Sequence, residues 1–138
     1  MTRNVRNNIS VEQCRVFNNE KDFCEHIVNN GSGFKFAKQY RFADNHRICP
    51  DVERVSDGKS FEVEYSFDFA GMRISDNGTT FNARFGIGRV LNGLYQALYY
   101  KKRLGSAGLI LPYECQEHPS FKKIALIADE CGIEIVFM

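Results

Sequence analysis

Asp51, Glu62 and Glu64 are the side chains here whose types and spacing offer chemistry. Residues 61–68 alternate polar positions (Glu62, Glu64, Ser66, Asp68) with apolar ones (Phe61, Val63, Tyr65, Phe67), and Phe69 continues the apolar set. A strand sends successive side chains to opposite faces, so one face of this segment is acidic and the other apolar. Asp51 belongs to the preceding segment, 48–55, and Ser56, Asp57, Gly58 and Lys59 have the turn chemistry to join the two as a hairpin. That pairing would gather the three carboxylates. Like charges held so close raise one another's proton affinity, and solvent or a bound cation must neutralise them. Oxygen donors alone suit Mg²⁺, Mn²⁺ or Ca²⁺ better than softer metals. The plain alternative is a solvated face of an edge-like strand. Such faces commonly mix signs, whereas this one places Glu62, Glu64 and Asp68 together with no Lys or Arg between them.

The elements that must position this group follow from periodicity. Residues 1–10 are polar and Asn-rich, a flexible lead-in ending at Ser10, which with Gln13 can cap a helix from Val11 to the stop at Asn29, Asn30 and Gly31. Glu20 and Glu25 ride on that helix, either near the acidic centre or simply solvated. In 34–42, Phe34, Phe36, Lys38, Tyr40 and Phe42 alternate with Lys35, Ala37, Gln39 and Arg41, predicting the first strand. After the hairpin, 70–82 reads as a loop with a turn at Asn77 and Gly78, a flap beside the site. Phe85, Ile87, Val90, Leu91, Leu94, Leu98 and Tyr99 predict a helix over 83–104, stopped by Gly105. Gly86, Gly88 and Gly93 inside it each cost about 1 kcal/mol relative to Ala and would permit close contact with a strand or a nucleic-acid backbone. A short apolar strand over 107–113, a helix from His118 and Pro119 to about Cys131, and a strand over 133–138 complete the chain. The expected architecture is α/β: a mixed five-stranded sheet flanked by helices, in the order αβββαβαβ.

A length of 138 residues fits one domain, 1–138. Net charge is only +1, but residues 50–80 carry three basic against seven acidic side chains, while 1–49 carry eight against five and 81–138 seven against five. A near-neutral total argues against a non-specific polycation binder. An acidic centre with basic shoulders fits a polyanionic substrate, or ordinary solvated faces. The five cysteines (14, 24, 49, 115, 131) include no CxxC pair and read as reduced thiols. His26, His46 and His118 lack metal-ligand spacing, and Gly86-x-Gly88 lacks the third glycine of a dinucleotide fingerprint. With no phosphate loop and no nucleophile–base pair, a small-molecule-binding α/β domain has no support. No signal-like or membrane-spanning apolar run is present, so the expected compartment is the cytoplasm.

The element order, together with Pro50 and Asp51 followed by Glu62, Val63 and Glu64, resembles the PD-(D/E)XK nuclease superfamily, of restriction-endonuclease-like fold, over roughly 11–138. The resemblance implies that Asp51 and Glu62 bind divalent metal, Mg²⁺ or Mn²⁺, which holds the scissile phosphate and a water nucleophile. The third motif position, usually Lys, is Glu64, as in restriction enzymes with an E-x-E strand. A third carboxylate would strengthen metal binding and act as the base. Gln96 and Tyr100 match the Q-x-x-x-Y pattern of exonuclease-type branches, in which both residues lie beside the nucleic acid. Arg84 and Arg89 would meet phosphate near the helix start, and Lys35 and Lys38 would neutralise its non-bridging oxygens. The expectation is a metal-dependent endo- or exonuclease with Asp51, Glu62 and Glu64 as catalytic residues and metal ligands. Its partner would be nucleic acid, DNA in the first instance, and exposed aromatics could supply a homodimer face, as in many enzymes of this fold. The alternative is a catalytically inactive domain of the same fold that binds nucleic acid or protein.

Overall fold

The turn residues at 56–59 close a hairpin: Gly58 adopts φ 75°, its N–H donates to the Arg54 carbonyl, and the Arg54 N–H donates to the Lys59 carbonyl. The computed structural model describes residues 17, 19–30, 33–44, 47–65, 72–75, 78–81, 87–117 and 121–138. Along them run α1 (Glu20–Asn29), β1 (Phe34–Phe36), β2 (Tyr40–Arg41), β3 (Arg47–Ile48), β4 (Val52–Arg54), β5 (Ser60–Val63), β6 (Met72–Ser75) and β7 (Gly78–Phe81). Then come α2 (Ile87–Leu104), β8 (Gly108–Leu111), a 3₁₀ turn (Tyr113–Glu117), α3 (Phe121–Glu130) and β9 (Glu134–Phe137). Five strands form one sheet in the order β1-β4-β5-β8-β9. Its β1–β4–β5 half is antiparallel and its β5–β8–β9 half parallel. The described residues are therefore α/β, with a mixed five-stranded sheet and three α-helices.

β5 is the middle strand, and its alternation sorts the two faces. Phe61, Val63 and Tyr65 join Phe23 and Ile27 of α1, with Phe34, Val52 and Ile110, in one apolar layer. On the other face Glu62 is in register with Leu109, which packs with Leu111 against Val90, Leu94 and Ala97 of α2 and Phe121, Ile124 and Ala128 of α3. A third cluster, Ile48, Tyr100 and Ala107 with Tyr40, Phe42, Tyr99 and Leu104, seats the β2–β3 ribbon on the C-terminal half of α2.

Five expected elements differ: the strand expected over 61–68 runs as β5 only to Val63, with 64 and 65 beyond it and 66–68 outside the described residues, and four others change as follows. The first helix starts at Glu20, because Asn19 is extended (φ −163°, ψ 177°) and its side chain accepts from the Asp22 N–H. Phe17 lies before this cap, with its N–H donating to the Tyr65 hydroxyl; the proposed start from Ser10 to Val11 falls outside the described residues. Segment 34–42 divides into β1 in the main sheet and β2 in a ribbon, leaving Phe36 55% exposed. Segment 48–55 divides at Pro50 into β3 and β4, since Pro cannot donate to a ladder. Within 70–82, β6 and β7 pair as an antiparallel ribbon in place of a loop. Gly105, at φ 93°, ends α2 as expected.

Candidate functional site

Asp51 stands immediately before β4, and the Val52–Phe61 pairing sets it opposite Glu62. The Asp51 N–H donates to the Phe61 carbonyl (3.1 Å), and its Oδ2 accepts from the Val63 N–H at 2.8 Å, which fixes the carboxylate against β5. Glu62 and Glu64 point to the same side of the sheet, toward α2. They are not on a solvent face: Glu62 is 9% exposed and Glu64 6%. Helix α2 comes close here only because position 93 is glycine; a Cβ there would collide with Glu64 Cγ and lie 2.9 Å from Leu109 Cδ1.

The carboxyls meet in two contacts. Glu62 hydrogen-bonds to Asp51, and Glu64 to Glu20, whose carboxylate also accepts from the Tyr65 backbone. All four proton affinities are raised, chiefly by burial; neighbouring negative charge adds to this at Glu20, Glu62 and Glu64, while at Asp51 the hydrogen bonds from the Val63 N–H and Glu62 oppose the rise. Glu62 is pushed up to about 9 by burial and then Asp51, and Glu64 to about 8 by burial and then Glu20. Glu62 Oε1 is buried without a hydrogen-bond partner. The Cys24 thiol, under the same group, is pushed up to about 12 by burial and by Asp51. Tyr100 roofs the site from α2, buried, its hydroxyl donating to the Cys49 carbonyl (3.2 Å) within hydrogen-bonding reach of Glu62. Burial and Glu62 raise its proton affinity as well.

Asp51, Glu62 and Glu64 are therefore brought together, and Glu20 of α1 joins them. The sequence held Glu20 and Glu25 as equal candidates; the helix cap at Asn19 decides between them by starting the helix at Glu20, beside the end of β5. Arg89, exposed at the start of α2, is close enough to favour the ionised forms of Glu20 and Glu64. The other expected phosphate contacts are dispersed. Lys35 is exposed and lies 3.6 Å from Glu53, while Lys38 Nζ sits 5.4 Å above the Tyr40 ring. Gln96 is half-buried one turn before Tyr100, and Arg84, like Asp68, lies outside the described residues.

No family model, curated protein or solved structure matches this chain.

What the arrangement can do follows from its atoms. Its donors are carboxylate oxygens, hard ligands suited to Mg²⁺ or Mn²⁺, and the orphaned Glu62 oxygen has a lone pair directed at no donor. Among the described residues no three side chains of His, Cys, Asp or Glu stand in metal-holding geometry; the acids keep to their two paired contacts. The oxygen donors are of the type a hard divalent cation takes, and their raised proton affinities favour protonated carboxyls without one. Among the described residues Cys24, Cys49, Cys115 and Cys131 form no disulfide with one another, and Cys14 falls outside the described residues. His26 is bonded to Asn30, and the other two histidines lie outside the described residues. Among the described residues no helix is long and apolar enough to cross a membrane.

Proposed function

We propose that the chain is a divalent-metal-dependent nuclease of the PD-(D/E)XK type, of restriction-endonuclease-like fold, hydrolysing phosphodiester bonds in nucleic acid. One observation carries this reading: four carboxyls, those of Glu62 and Glu64 buried and those of Asp51 and Glu20 half-buried, converge at the end of β5, with a buried oxygen of Glu62 left unpaired. Burying acids this way is costly unless a cation or protons neutralise them. Asp51, Glu62 and Glu64 would hold Mg²⁺ or Mn²⁺, which when bound polarises a phosphoryl oxygen and makes an attached water more acidic. Glu64 has a proton affinity near neutrality and is suited to accept the proton of the attacking water. Arg89 offers positive charge to the phosphate as negative charge builds on it. Tyr100 holds the Cys49 carbonyl, and with it the approach to Asp51.

Cleavage of a plasmid and of a labelled oligonucleotide with Mg²⁺ or Mn²⁺ tests the reading. Asp51→Ala is expected to lower the rate on the order of 10²-fold or more. Undiminished cleavage by that variant would assign the activity to a contaminant. Calorimetric titration with Mn²⁺ separates the second reading, an inactive domain of the same fold that binds nucleic acid or protein. That reading is favoured by the lack of a three-donor set in metal-holding geometry among the described residues. No heat of binding on folded protein would establish it over catalysis.

A further inference from the structure

The β2–β3 ribbon carries a second feature that the carboxylates do not explain. Cross-strand register pairs Tyr40 with Ile48 and Arg41 with Arg47. Tyr40 and Ile48 pack inward on Tyr100, Tyr99 and Leu104, so alternation turns both arginines outward, and both are exposed. Like charges directly opposed across a ribbon destabilise it. Among the described residues neither arginine has a carboxylate partner, and the nearby Asp44 is engaged by Arg103 at 2.9 Å. Arg47 is nevertheless oriented: with its amide oxygen turned to the guanidinium, Gln39 accepts from Nε at 2.9 Å and Nη1 at 3.2 Å. Lys38 adds a third cation at the edge. The ribbon is anchored, since Arg103 lies 4.3 Å over the Phe42 ring while bonding Asp44. Arg47 is four residues from Asp51, a reach of at most about 14 Å.

We propose that Arg41 and Arg47 form a phosphate-binding platform that holds the sugar–phosphate backbone of nucleic acid beside the carboxylate site. The assignment deepens the nuclease reading and rests on it for the identity of the polyanion. A paired guanidinium face, with no acid across from it among the described residues, is complementary to the closely spaced charges of a phosphodiester chain and to its fork-shaped acceptors. Contacts of guanidinium to phosphate position nucleic acid without selecting sequence.

Fluorescence anisotropy of a labelled duplex DNA oligonucleotide, in EDTA so that neither cleavage nor metal intervenes, reads the platform directly. R41Q/R47Q is expected to bind about 10-fold more weakly at moderate salt, with the slope of log K against log salt shallower by about 2, roughly one for each phosphate no longer neutralised. K122Q/K123Q removes the same charge from exposed positions on α3 and is expected to keep most of the slope. An equal loss in both variants, or no loss in R41Q/R47Q, would overturn the platform. So would poly-glutamate binding as tightly as DNA with the same dependence on the two arginines. Single R41Q and R47Q variants, each expected to show about half the slope change, cover the case in which the double variant melts early. Mn²⁺ calorimetry on R41Q/R47Q is expected to match wild type, so failure of the platform and failure of the cation reading give different results.

Discussion

Glu62 is the residue at which stability and the proposed chemistry oppose each other. Its folded carboxyl titrates near 9 against an ordinary 4.5, so the folded state takes up a proton that the unfolded chain has already released. Metal-free protein should therefore lose stability as pH rises from about 5 to 9, because in that range the unfolded state binds fewer protons than the native state. Glu62→Gln keeps the shape and removes the charge. It is expected to raise metal-free stability at pH 8 by about 1–2 kcal/mol and to flatten the pH dependence, while abolishing Mn²⁺ uptake. Urea melts in EDTA across that range, alongside calorimetry, provide both readouts. The acidic alternation that marked Glu62 and Glu64 was legible in the sequence. Their burial was not, because period-2 patterning separates two faces without saying which helix covers either.

At the level of elements, Gly93 sets how closely α2 approaches β5. A methyl group there meets Glu64 Cγ and Leu109, so Gly93→Ala should cost about 1–3 kcal/mol despite the better helix propensity of alanine, and should displace Glu64. Gly88 has open space around it, and Gly88→Ala is expected to stabilise by about 0.5 kcal/mol. The two melts side by side distinguish packing from propensity, and a stabilised Gly93→Ala would contradict the close approach. Close contact with a strand was one reason offered by the sequence for glycines in this helix, and at Gly93 the strand is β5. The breaks at 37–39 and 49–51 were hidden, because an alternating run shows that a strand forms but not where it changes partners. The hairpin at Gly58 and the stop at Gly105 were legible for the opposite reason: positive φ restricts residue type locally, with no need of tertiary context.

Across the whole sheet, the face opposite the carboxylates carries its own ionic arrangement. Arg54 of β4 lies 5.2 Å over the Phe61 ring and reaches Glu134 of β9 at 2.8 Å, while Lys59 reaches the same carboxylate at 2.9 Å and Arg54 also holds Asp57 at 2.7 Å. Hydrogen bonding to Arg54 holds both Glu134 and Asp57 down at about 2. Depressed carboxyls contribute stability above their ordinary range and lose it as pH falls, so acid unfolding should set in between about pH 4.5 and 2. Glu134→Gln is expected to cost about 1 kcal/mol at neutral pH, since Glu134 is partly exposed, and to weaken that acid transition. With the carboxylate cluster acting in the other direction, metal-free protein should be most stable on the mildly acidic side of neutrality.

Gly108 opens the passage for that arrangement: a Cβ at 108 would run into the Phe61 ring and lie 2.9 Å from the Glu134 carbonyl. Through this notch the outermost parallel strand, β9, is laced to β4 of the antiparallel hairpin across β5 and β8. The seam between β5 and β8, where strand direction changes, is thereby clamped from behind, and opening it means parting β4 from β9 as well. Backbone amides of β5 and β8 should then exchange with deuterium only through global unfolding, keeping the floor beneath Asp51 and Glu62 rigid even when the chain ends fray.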